Sequence, residues 1–448
     1  MHDDLDSAIR ELFPSLRAEL ERLVRIPSVS ADGFDAAEVR RSAEASADLL
    51  ESAGMQGVRL LEVEDAHPAV FGEVAAPAGA PTVLLYAHHD VQPAGDAGDW
   101  DSPPFDPSER DGRLYGRGVS DDKCGVVLHT AAVRAYGASP PVGVKIIIEG
   151  EEETGSAHLG DFLERYGGPL EADAIVIADS ANWRRGQPAL TTSLRGLVDC
   201  VVELRTLEQG VHSGLFGGTL PDALTALSRL LATLHDDGGR PAVPGLVTGD
   251  ADPLDLTEDE LRSQAGAVEG VQLIGSGSLT SRMWTRPAIS VLALEAPAID
   301  EAINQLVPVA RAKISVRLAP GDDPQRALAA LTAHLEGNVP WGARLRVTGR
   351  SEAQPFALDS SGPAYDAFHA AFAEAWGRPA VEIGMGGSIP FVAAFAEAYP
   401  QASILLTGVG DPESRPHGPN ESLDLEELRR GCLAEAIALR LLADPNAG

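Results

Sequence analysis

Four short apolar runs, each followed closely by acidic or histidine residues, are the clearest pattern along the chain. They occupy residues 82–86, 144–148, 174–178 and 403–406. Short apolar segments bounded by turn residues are typical of strands buried on both faces of a parallel sheet. Ligands and catalytic groups gather outside the carboxyl ends of such strands. We therefore expect the residues that follow the four runs to converge at one edge of a sheet.

The converging residues are imidazoles and carboxylates. They are His88, Asp90, Glu152, Glu153, Asp179 and His417. Nitrogen and oxygen donors of these types are common ligands of divalent metal ions. The placement therefore favours a metal site built from both halves of the chain.

The order of the predicted elements indicates the fold. From residue 82 onward, strands alternate with helical segments, which is typical of a doubly wound α/β sheet. After about residue 195 the pattern changes to four alternating strands and two helices, which predicts a compact α+β unit. Because His417 must rejoin the ligands of the first half, we interpret this unit as an insertion. The sequence predicts a mostly parallel catalytic domain at 1–190 and 353–448, and an inserted lid or dimerisation domain at 191–352 with two helices on a four-stranded antiparallel sheet.

Composition indicates which binding partners are unfavourable and where in the cell the protein is expected. Of 448 residues, 35 are Lys or Arg and 67 are Asp or Glu, which gives a net charge of −32. This charge argues against nucleic acid or an anionic membrane as a partner. The 3 cysteines are widely spaced, the N-terminus is acidic rather than signal-like, and no apolar stretch approaches the roughly 18 residues of a membrane span. We expect a soluble cytoplasmic protein.

Each motif taken alone has a second interpretation. His88 and Asp90 form a ligand with a supporting carboxylate, or a hydrogen-bonded structural histidine. The acidic run that contains Glu152 and Glu153 either coordinates metal and acts on a bound water, or forms a solvated turn. Asp121 and Asp122 bind metal, or cap the helix that begins after them.

Other candidates lie further along the chain, where spacing alone does not connect them to a metal site. His212 occupies a glycine-flanked loop, and Arg317 alternates with apolar neighbours, so it faces either solvent or a cleft. Gly387 and Ser388 precede a predicted helix, whose backbone N–H groups would suit a carboxylate.

Taken together, these motifs resemble the metallo-exopeptidases that include cytosolic nonspecific dipeptidases, carnosinases, carboxypeptidase G, aminoacylases and desuccinylases. The resemblance covers nearly the whole chain and is greatest for the dipeptidases. Besides Asp179, it rests on YAHHDVQP (86–93), DWDSPPFDPSERDGRLYGRGVSDDKCG (99–125), EGEEETGS (149–156), GVHSGLFGG (210–218), SVRLAP (315–320), GGSIP (386–390) and HGPNE (417–421).

The resemblance implies a role for each residue of the metal site. His88 and Asp179 would hold one ion, Glu153 and His417 the other, and Asp121 would bridge both. The peptide bond between Asp121 and Asp122 would be cis. Two divalent ions per subunit are implied, with Zn²⁺ preferred and Mn²⁺ or Co²⁺ as alternatives.

The resemblance also implies the reaction. Glu152 would be the general base that activates a water shared by the ions, and Asp90 would support His88. His212 would cross from the partner subunit of a homodimer, joined through the inserted domain, to stabilise the oxyanion. Arg317, with Gly387 and Ser388, would bind the carboxylate of a small peptide.

Two positions depart from the family pattern. Cys124 stands where a glycine is usual, which places a thiol near the metals and predicts sensitivity to thiol reagents. The segment 295–312 lacks the Gly-rich, Lys-Thr-containing loop of the dipeptidases, and Asn304 falls where the oxyanion-side threonine would be.

The leading interpretation is a metallopeptidase that cleaves dipeptides or short peptides. One alternative is deacylation or desuccinylation of N-acyl amino acids by the same metals. Another is a noncatalytic scaffold or binding protein, which the retention of every ligand and of Glu152 argues against.

Overall fold

The computed structural model describes residues 2–387 and 389–443, and the chain divides into two compact units. The first unit contains Met1–Thr192, Leu358–Ile383 and Pro390–Gly448, and the second contains Ser193–Ala357 and Gly384–Ile389. The described helices are α1 Asp3–Val24, α2 Ala36–Ser52, α3 Lys123–Arg134, α4 Leu159–Leu170, α5 Ser213–Phe216, α6 Ala223–Ala232, α7 Glu258–Gln264, α8 Leu279–Trp284, α9 Pro324–Gly337, α10 Pro363–Trp376, α11 Pro390–Ala398 and α12 Leu425–Ala443.

The strands follow the same chain order. They are β1 Gln56–Leu61, β2 Ala69–Val74, β3 Thr82–His88, β4 Ser108–Arg110, β5 Arg113–Tyr115, β6 Gly143–Glu149, β7 Ala174–Ala181, β8 Ala189–Leu194, β9 Gly196–Arg205, β10 Val211–His212, β11 Ala288–Glu295, β12 Gln305–Leu306, β13 Val309–Leu318, β14 Arg344–Ala353, β15 Phe356–Ala357, β16 Val381–Met385, β17 Ser403–Gly410 and β18 Ser422–Asp424.

The four apolar runs form four neighbouring parallel strands in the first unit. Strand β3 pairs in parallel with β6 on one side and β7 on the other, and β7 pairs in parallel with β17. Strands β1, β2 and β8 add antiparallel pairs outside this parallel centre. The predicted α/β fold with a mostly parallel sheet is therefore confirmed, and the carboxyl ends of the four strands meet at one edge.

Alternate residues of β3 serve the two faces of this sheet. Leu85 and Ala87 are buried in a core cluster to which α1, α3, α10 and α12 contribute. The Tyr86 ring packs against Phe391 of α11, with ring centroids 3.6 Å apart. Because successive side chains of a strand point to opposite faces, helices cover both faces, as in a doubly wound fold.

The second unit has its own sheet and core. Its four antiparallel strands have the order β11-β13-β9-β14. Residues of β9, including Val198 and Val202, are buried in a cluster with α6 and α9. Asp222 and Asp323 cap the starts of these two helices through backbone N–H groups. This arrangement is the predicted α+β unit, and its role as a lid or dimerisation domain remains a prediction.

The sequence places the limits of this unit at 191 and 352, whereas the compact units divide at 192/193 and 357/358. The second unit also includes residues 384–389. Across the described residues, no helix combines the length and the apolar character needed to span a membrane.

Candidate metal centre

Strand ends position the candidate ligands. His88 is the last residue of β3, and Glu152 and Glu153 lie in a short 3-10 turn just after β6. Asp179 lies near the end of β7, and His417 follows β17. The parallel pairing of these strands therefore explains why residues so distant along the chain meet.

The side chains form two groups, each with one histidine and two carboxylates. One group is His88, Glu152 and Asp179, and the other is Asp121, Glu153 and His417. Within each group the donor atoms lie within 4.8 Å of one another. The structure thus brings together all five predicted metal ligands and the predicted general base.

Asp121 connects the two groups. Its Oδ1 atom lies 3.0 Å from Nε2 of His88, and its Oδ2 atom lies 3.0 Å from Nε2 of His417. The same nitrogen of His417 lies 3.1 Å from Oε2 of Glu153. A carboxylate that directs one oxygen to each histidine has the arrangement that a bridging ligand requires.

Asp90 contacts one residue of each group, His88 and Glu153. The Nδ1 atom of His88 lies 3.1 Å from the carbonyl oxygen of Asp90 and 3.4 Å from its carboxylate. The other carboxylate oxygen accepts hydrogen bonds from the Ser30 hydroxyl at 2.6 Å and from the Glu153 backbone N–H at 3.1 Å. Such contacts orient the imidazole and leave Nε2 for a metal.

The two neighbouring aspartates have different environments. The carboxylate of Asp122 accepts the Gly125 backbone N–H at the start of α3 and therefore caps that helix. The Asp121 carboxylate instead faces the histidines, and the peptide bond between the two residues is cis. Capping and ligand placement, which were alternative interpretations of the sequence, are thus divided between adjacent residues.

Cys124 is buried in the first turn of α3. Its thiol donates a hydrogen bond to the Ser120 carbonyl oxygen at 3.2 Å. Burial, together with the nearby Asp122 and Glu421 charges, raises the pKa of the thiol well above its usual value. Because the thiolate is the reactive form, this environment argues against the predicted sensitivity to thiol reagents.

Burial and mutual repulsion dominate the electrostatics of the carboxylates. Burial raises the pKa of Glu152 well above its usual value, and the Asp179 charge raises it further. Burial likewise raises the pKa of Asp179. Hydrogen bonds to Asp121 and Glu153 raise the pKa of His417 to about 10.

The donor set fits two divalent cations. Within the described residues, no lysine or arginine forms an ion pair with any member of the two groups. Buried carboxylates require compensation by positive charge or metal coordination. Imidazole nitrogens and carboxylate oxygens at this spacing supply donors for a metal, and among the described residues no lysine or arginine supplies the compensating charge.

The residues predicted to face the substrate belong to the second unit. His212 is exposed, and its Nδ1 atom accepts the Gly214 backbone N–H at 3.0 Å, which leaves Nε2 for another partner. The backbone carbonyl oxygen of Asn304 accepts the Ser213 backbone N–H at 3.1 Å. Directly opposite His212 in the β10–β12 pair stands Gln305. Gln305, which was not among the residues predicted from the sequence, is therefore the backbone partner of this histidine.

Arg317 lies half-buried near the end of β13, opposite Leu197 of β9 and Ala288 of β11. It has no ion-pair partner in the described ranges. Gly387 belongs to the short 384–389 segment of the same unit. Ser388 lies outside the described residues, so its proposed role stays a prediction.

Two residues near the ligands were missed as site residues. Gln92 donates hydrogen bonds from its backbone and side-chain nitrogens to the Glu153 carboxylate at 3.2 and 2.9 Å. Glu421 accepts backbone N–H groups from the loop that carries Asp121. Both belong to motifs that carried the resemblance, but neither residue type by itself indicates a supporting role.

Comparisons with known proteins assign the chain to a family. Residues 84–440 match the model of Peptidase family M20/M25/M40. The chain is 35% identical over 397 residues to cysteinylglycine-S-conjugate dipeptidase of Corynebacterium striatum, with 86% of each chain covered. It is 30% identical over 432 residues to a Beta-Ala-His dipeptidase of Rattus norvegicus, with 92% of this chain and 85% of the relative covered.

A solved structure has the same fold along nearly its full length. The crystal structure of human carnosine dipeptidase 1 has a TM-score of 0.82 and 26% sequence identity, and 98% of each chain is covered. The family resemblance that the motifs carry is thus confirmed, and the chain belongs to Peptidase family M20/M25/M40, as a hydrolase that acts on peptide bonds.

Proposed function

We propose that this protein is a dipeptidase that uses two divalent metal ions to cleave small peptides. The observation that carries the proposal is the placement of Asp121 between His88 and His417, with the Glu152 carboxylate beside the first group. Relatives named as dipeptidases for cysteinylglycine S-conjugates and for Beta-Ala-His support small dipeptides as the substrate class.

In this proposal His88 and Asp179 would hold one ion, Glu153 and His417 would hold the other, and Asp121 would be a ligand of both. When bound, the ions lower the pKa of a water molecule and polarise the scissile carbonyl. Zinc is the preferred ion because its protein ligands are commonly of these types, and manganese and cobalt are the alternatives.

Glu152 moves the proton during the reaction. Its carboxylate takes a proton from the attacking water and returns it to the leaving amine. Burial of this carboxylate and its closeness to Asp179 favour acceptance of a proton. Asp90 holds His88 and the Glu153 backbone in place while the proton moves.

The second unit supplies the groups that recognise the substrate. Arg317 binds the carboxylate of the dipeptide, since a half-buried guanidinium without an ion-pair partner in the described chain is available for an anion. Gly387 supports this contact, and the role of Ser388, which lies outside the described residues, stays a prediction. His212 of the partner subunit, together with Asn304, donates hydrogen bonds to the oxyanion.

A homodimer through the second unit is part of the proposal. Strand β11 is an edge of its sheet, with Val291, Leu292 and Leu294 between 45% and 56% exposed. The opposite edge, β14, instead exposes charged residues such as Arg346 and Arg350, which are typical of a protected edge. An apolar, unpaired edge favours pairing with a second copy.

Light scattering with size-exclusion chromatography tests the dimer. Leu292→Asp should shift the protein towards monomer, whereas Thr348→Asp on β14 should leave its mass unchanged. A wild-type monomer would contradict the dimer. The cytoplasmic location predicted from the sequence remains a prediction.

The activity is tested with a panel of free dipeptides, including Cys-Gly and β-Ala-His, beside N-acetylated amino acids. Metal-loaded wild type is compared with Glu152→Gln and with Glu164→Gln, a matched change at an exposed position of α4. Loss of the general base should lower kcat by a factor of roughly 10² to 10⁴ for dipeptides. Glu164→Gln should have the same kcat for dipeptides as wild type.

The other outcomes separate the alternatives. Activity confined to N-acylated substrates would identify a deacylase or desuccinylase on the same fold. Absence of metal-dependent hydrolysis with both sets would favour a noncatalytic binding protein and would overturn the dipeptidase proposal.

A further inference from the structure

Glu421 is a buried carboxylate whose hydrogen bonds all go to one loop. The side chain is 0% exposed. Its Oε1 atom accepts the backbone N–H groups of Ser120 and Asp121 at 2.9 and 3.1 Å. Its Oε2 atom accepts the Gly118 N–H at 2.9 Å and Nη1 of Arg117 at 2.6 Å. An ionised carboxylate offers about four lone pairs, so this one is fully used.

The loop that Glu421 binds carries Asp121. It connects β5 to α3, and three of its backbone N–H groups donate to the Glu421 carboxylate. Buried backbone N–H groups must be paired, and here one side chain pairs three of them. Because one of the three belongs to Asp121 itself, the position of that residue depends directly on Glu421.

Two further hydrogen bonds connect this loop to the segment that follows His417. Arg117 donates from Nη2 to the Gly418 carbonyl oxygen at 3.2 Å, and Gly116 donates its N–H to the Glu421 carbonyl oxygen at 3.0 Å. The segment 418–421 follows His417 directly. The two residues that approach to 3.0 Å in the metal centre, Asp121 and His417, are therefore held by segments bound to each other.

We propose that Glu421 is a positioning residue that sets the spacing between Asp121 and His417 and thereby the affinity for the ion that both contact. The inference rests on the proposed function only in taking these groups as metal ligands. Among the described residues, the Glu421 carboxylate contacts Asp121 through its backbone N–H and not through its side chain. Contacts of this kind around a metal site typically contribute roughly 10- to 100-fold to metal affinity.

A second buried carboxylate provides a matched control. Asp322 is 6% exposed and accepts the backbone N–H groups of Val247 and Asp323 at 2.9 and 2.8 Å. It also pairs with Arg326. The donors thus resemble those of Glu421, but the residue belongs to the second unit and the metal ligands belong to the first.

The experiment compares the full-length wild type, Glu421→Gln and Asp322→Asn. Each metal-free protein is titrated with Co²⁺ by calorimetry, the visible absorption of the bound Co²⁺ is recorded, and thermal unfolding is measured without metal. In Glu421→Gln an amide N–H₂ faces backbone N–H donors, so we expect affinity to fall roughly 10- to 100-fold for the ion beside His417, and for the other ion as far as Asp121 moves. The absorption should also change, whereas Asp322→Asn should keep both affinities and the spectrum.

Equal metal affinities and spectra in wild type and Glu421→Gln, even with a lower unfolding temperature, would overturn the inference and make Glu421 structural only. If Glu421→Gln does not fold, Glu421→Asp replaces it, because the shorter side chain keeps its charge but cannot reach both pairs of donors. Retention of both affinities in Glu421→Asp would equally overturn it. These measurements need no substrate, so absence of dipeptide hydrolysis would refute the proposed function without affecting them.

Discussion

The Nε2 atom of His417 lies 3.0 Å from Oδ2 of Asp121, which joins two loops from distant parts of the chain at one edge of the sheet. The other oxygen of Asp121 lies equally close to His88. A change at Asp121 should therefore affect both groups, whereas a change at Asp179 or Glu153 should affect mainly one.

Removal of metal should lower the unfolding temperature. Without ions the buried carboxylates repel one another, and an ion that binds only the native state stabilises it by about 2.7 kcal/mol at a free concentration of 100 times Kd. Scanning calorimetry with a chelator, and with added Zn²⁺ or Mn²⁺, measures the difference.

Asp121→Asn should reduce this metal-dependent difference more than any change at a single group. The matched variant is Asp259→Asn, at an exposed position of α7 in the second unit, which should preserve it. A metal-dependent shift of wild-type size in Asp121→Asn would contradict the bridging role.

The adjacent glutamates Glu152 and Glu153 should have separable effects. Glu153 faces His417 and receives hydrogen bonds from Gln92, as expected of an oriented ligand. We expect Glu153→Gln to lose affinity for one ion. Glu152→Gln should bind both ions and lose kcat. Metal content after dialysis and kinetics at saturating metal distinguish the two.

The geometry leaves a clear contrary result for this pair. Glu152 lies close enough to His88 and Asp179 to act as a third ligand of that group. If Glu152→Gln released an ion and Glu153→Gln kept both, the assigned roles would have to be exchanged.

The sheet and the ligand-bearing strand ends were predictable because continuous apolar runs have few other structural explanations. The predicted strands appear as β3, β6, β7 and β17, side by side and parallel. The limits of the second unit were less accessible, since β8 and β16 each continue across a boundary between units. The residue pattern of a strand continues unchanged across such a boundary, so it does not show where one unit ends and the next begins.

Apart from Asp90, which the His-x-Asp spacing suggested, the supporting contacts were not predictable from residue types. Nothing in the local sequence separates Asp121 from Asp122, because the backbone turn decides which carboxylate caps the helix. The role of Glu421 depends on backbone N–H groups in a loop far away along the chain. Such partners become visible only when the fold brings them together.

Arg317→Met should raise KM for a dipeptide and leave kcat nearly unchanged. A hydrogen bond to a charged group contributes about 1.5–3 kcal/mol, which corresponds to a change of roughly 10- to 100-fold. The loss should be small for the same dipeptide with an amidated C-terminus, because that substrate lacks the anion. A rise in KM with constant kcat is the result of lost uniform binding.

Arg311 provides the control on the same strand. It is exposed and already pairs with Glu203 at 2.7 Å and Glu295 at 3.3 Å. Arg311→Met should therefore not change KM for either substrate. An equal rise in KM for the free dipeptide and for its amidated form in Arg317→Met would argue against recognition of the carboxylate.

Glu426, at the start of α12, should contribute to stability in acid. Hydrogen bonds from Arg429 and, to a smaller extent, from Arg430 lower the pKa of Glu426 to about 2. Partial burial acts in the opposite direction but is outweighed. A carboxylate whose folded pKa lies below its unfolded value stabilises the fold above the unfolded pKa. That contribution disappears as pH falls through the folded pKa, here between about 4.5 and 2. Because the side chain is 45% exposed, we expect less than about 1 kcal/mol.

The test compares the free energies of unfolding of wild type and Glu426→Gln by urea titration at several pH values. At neutral pH the variant should be less stable, since an amide forms weaker bonds with the two arginines. The difference should shrink as pH falls below about 4.5, because Glu426 of the unfolded chain then takes up a proton, whereas Glu426 of the folded chain does so only near pH 2. Glu11→Gln, at an exposed position of α1 without an ion pair in the described chain, should show no such pH-dependent difference. A difference between wild type and Glu426→Gln that stays constant down to pH 2 would show that the charge of Glu426 does not contribute.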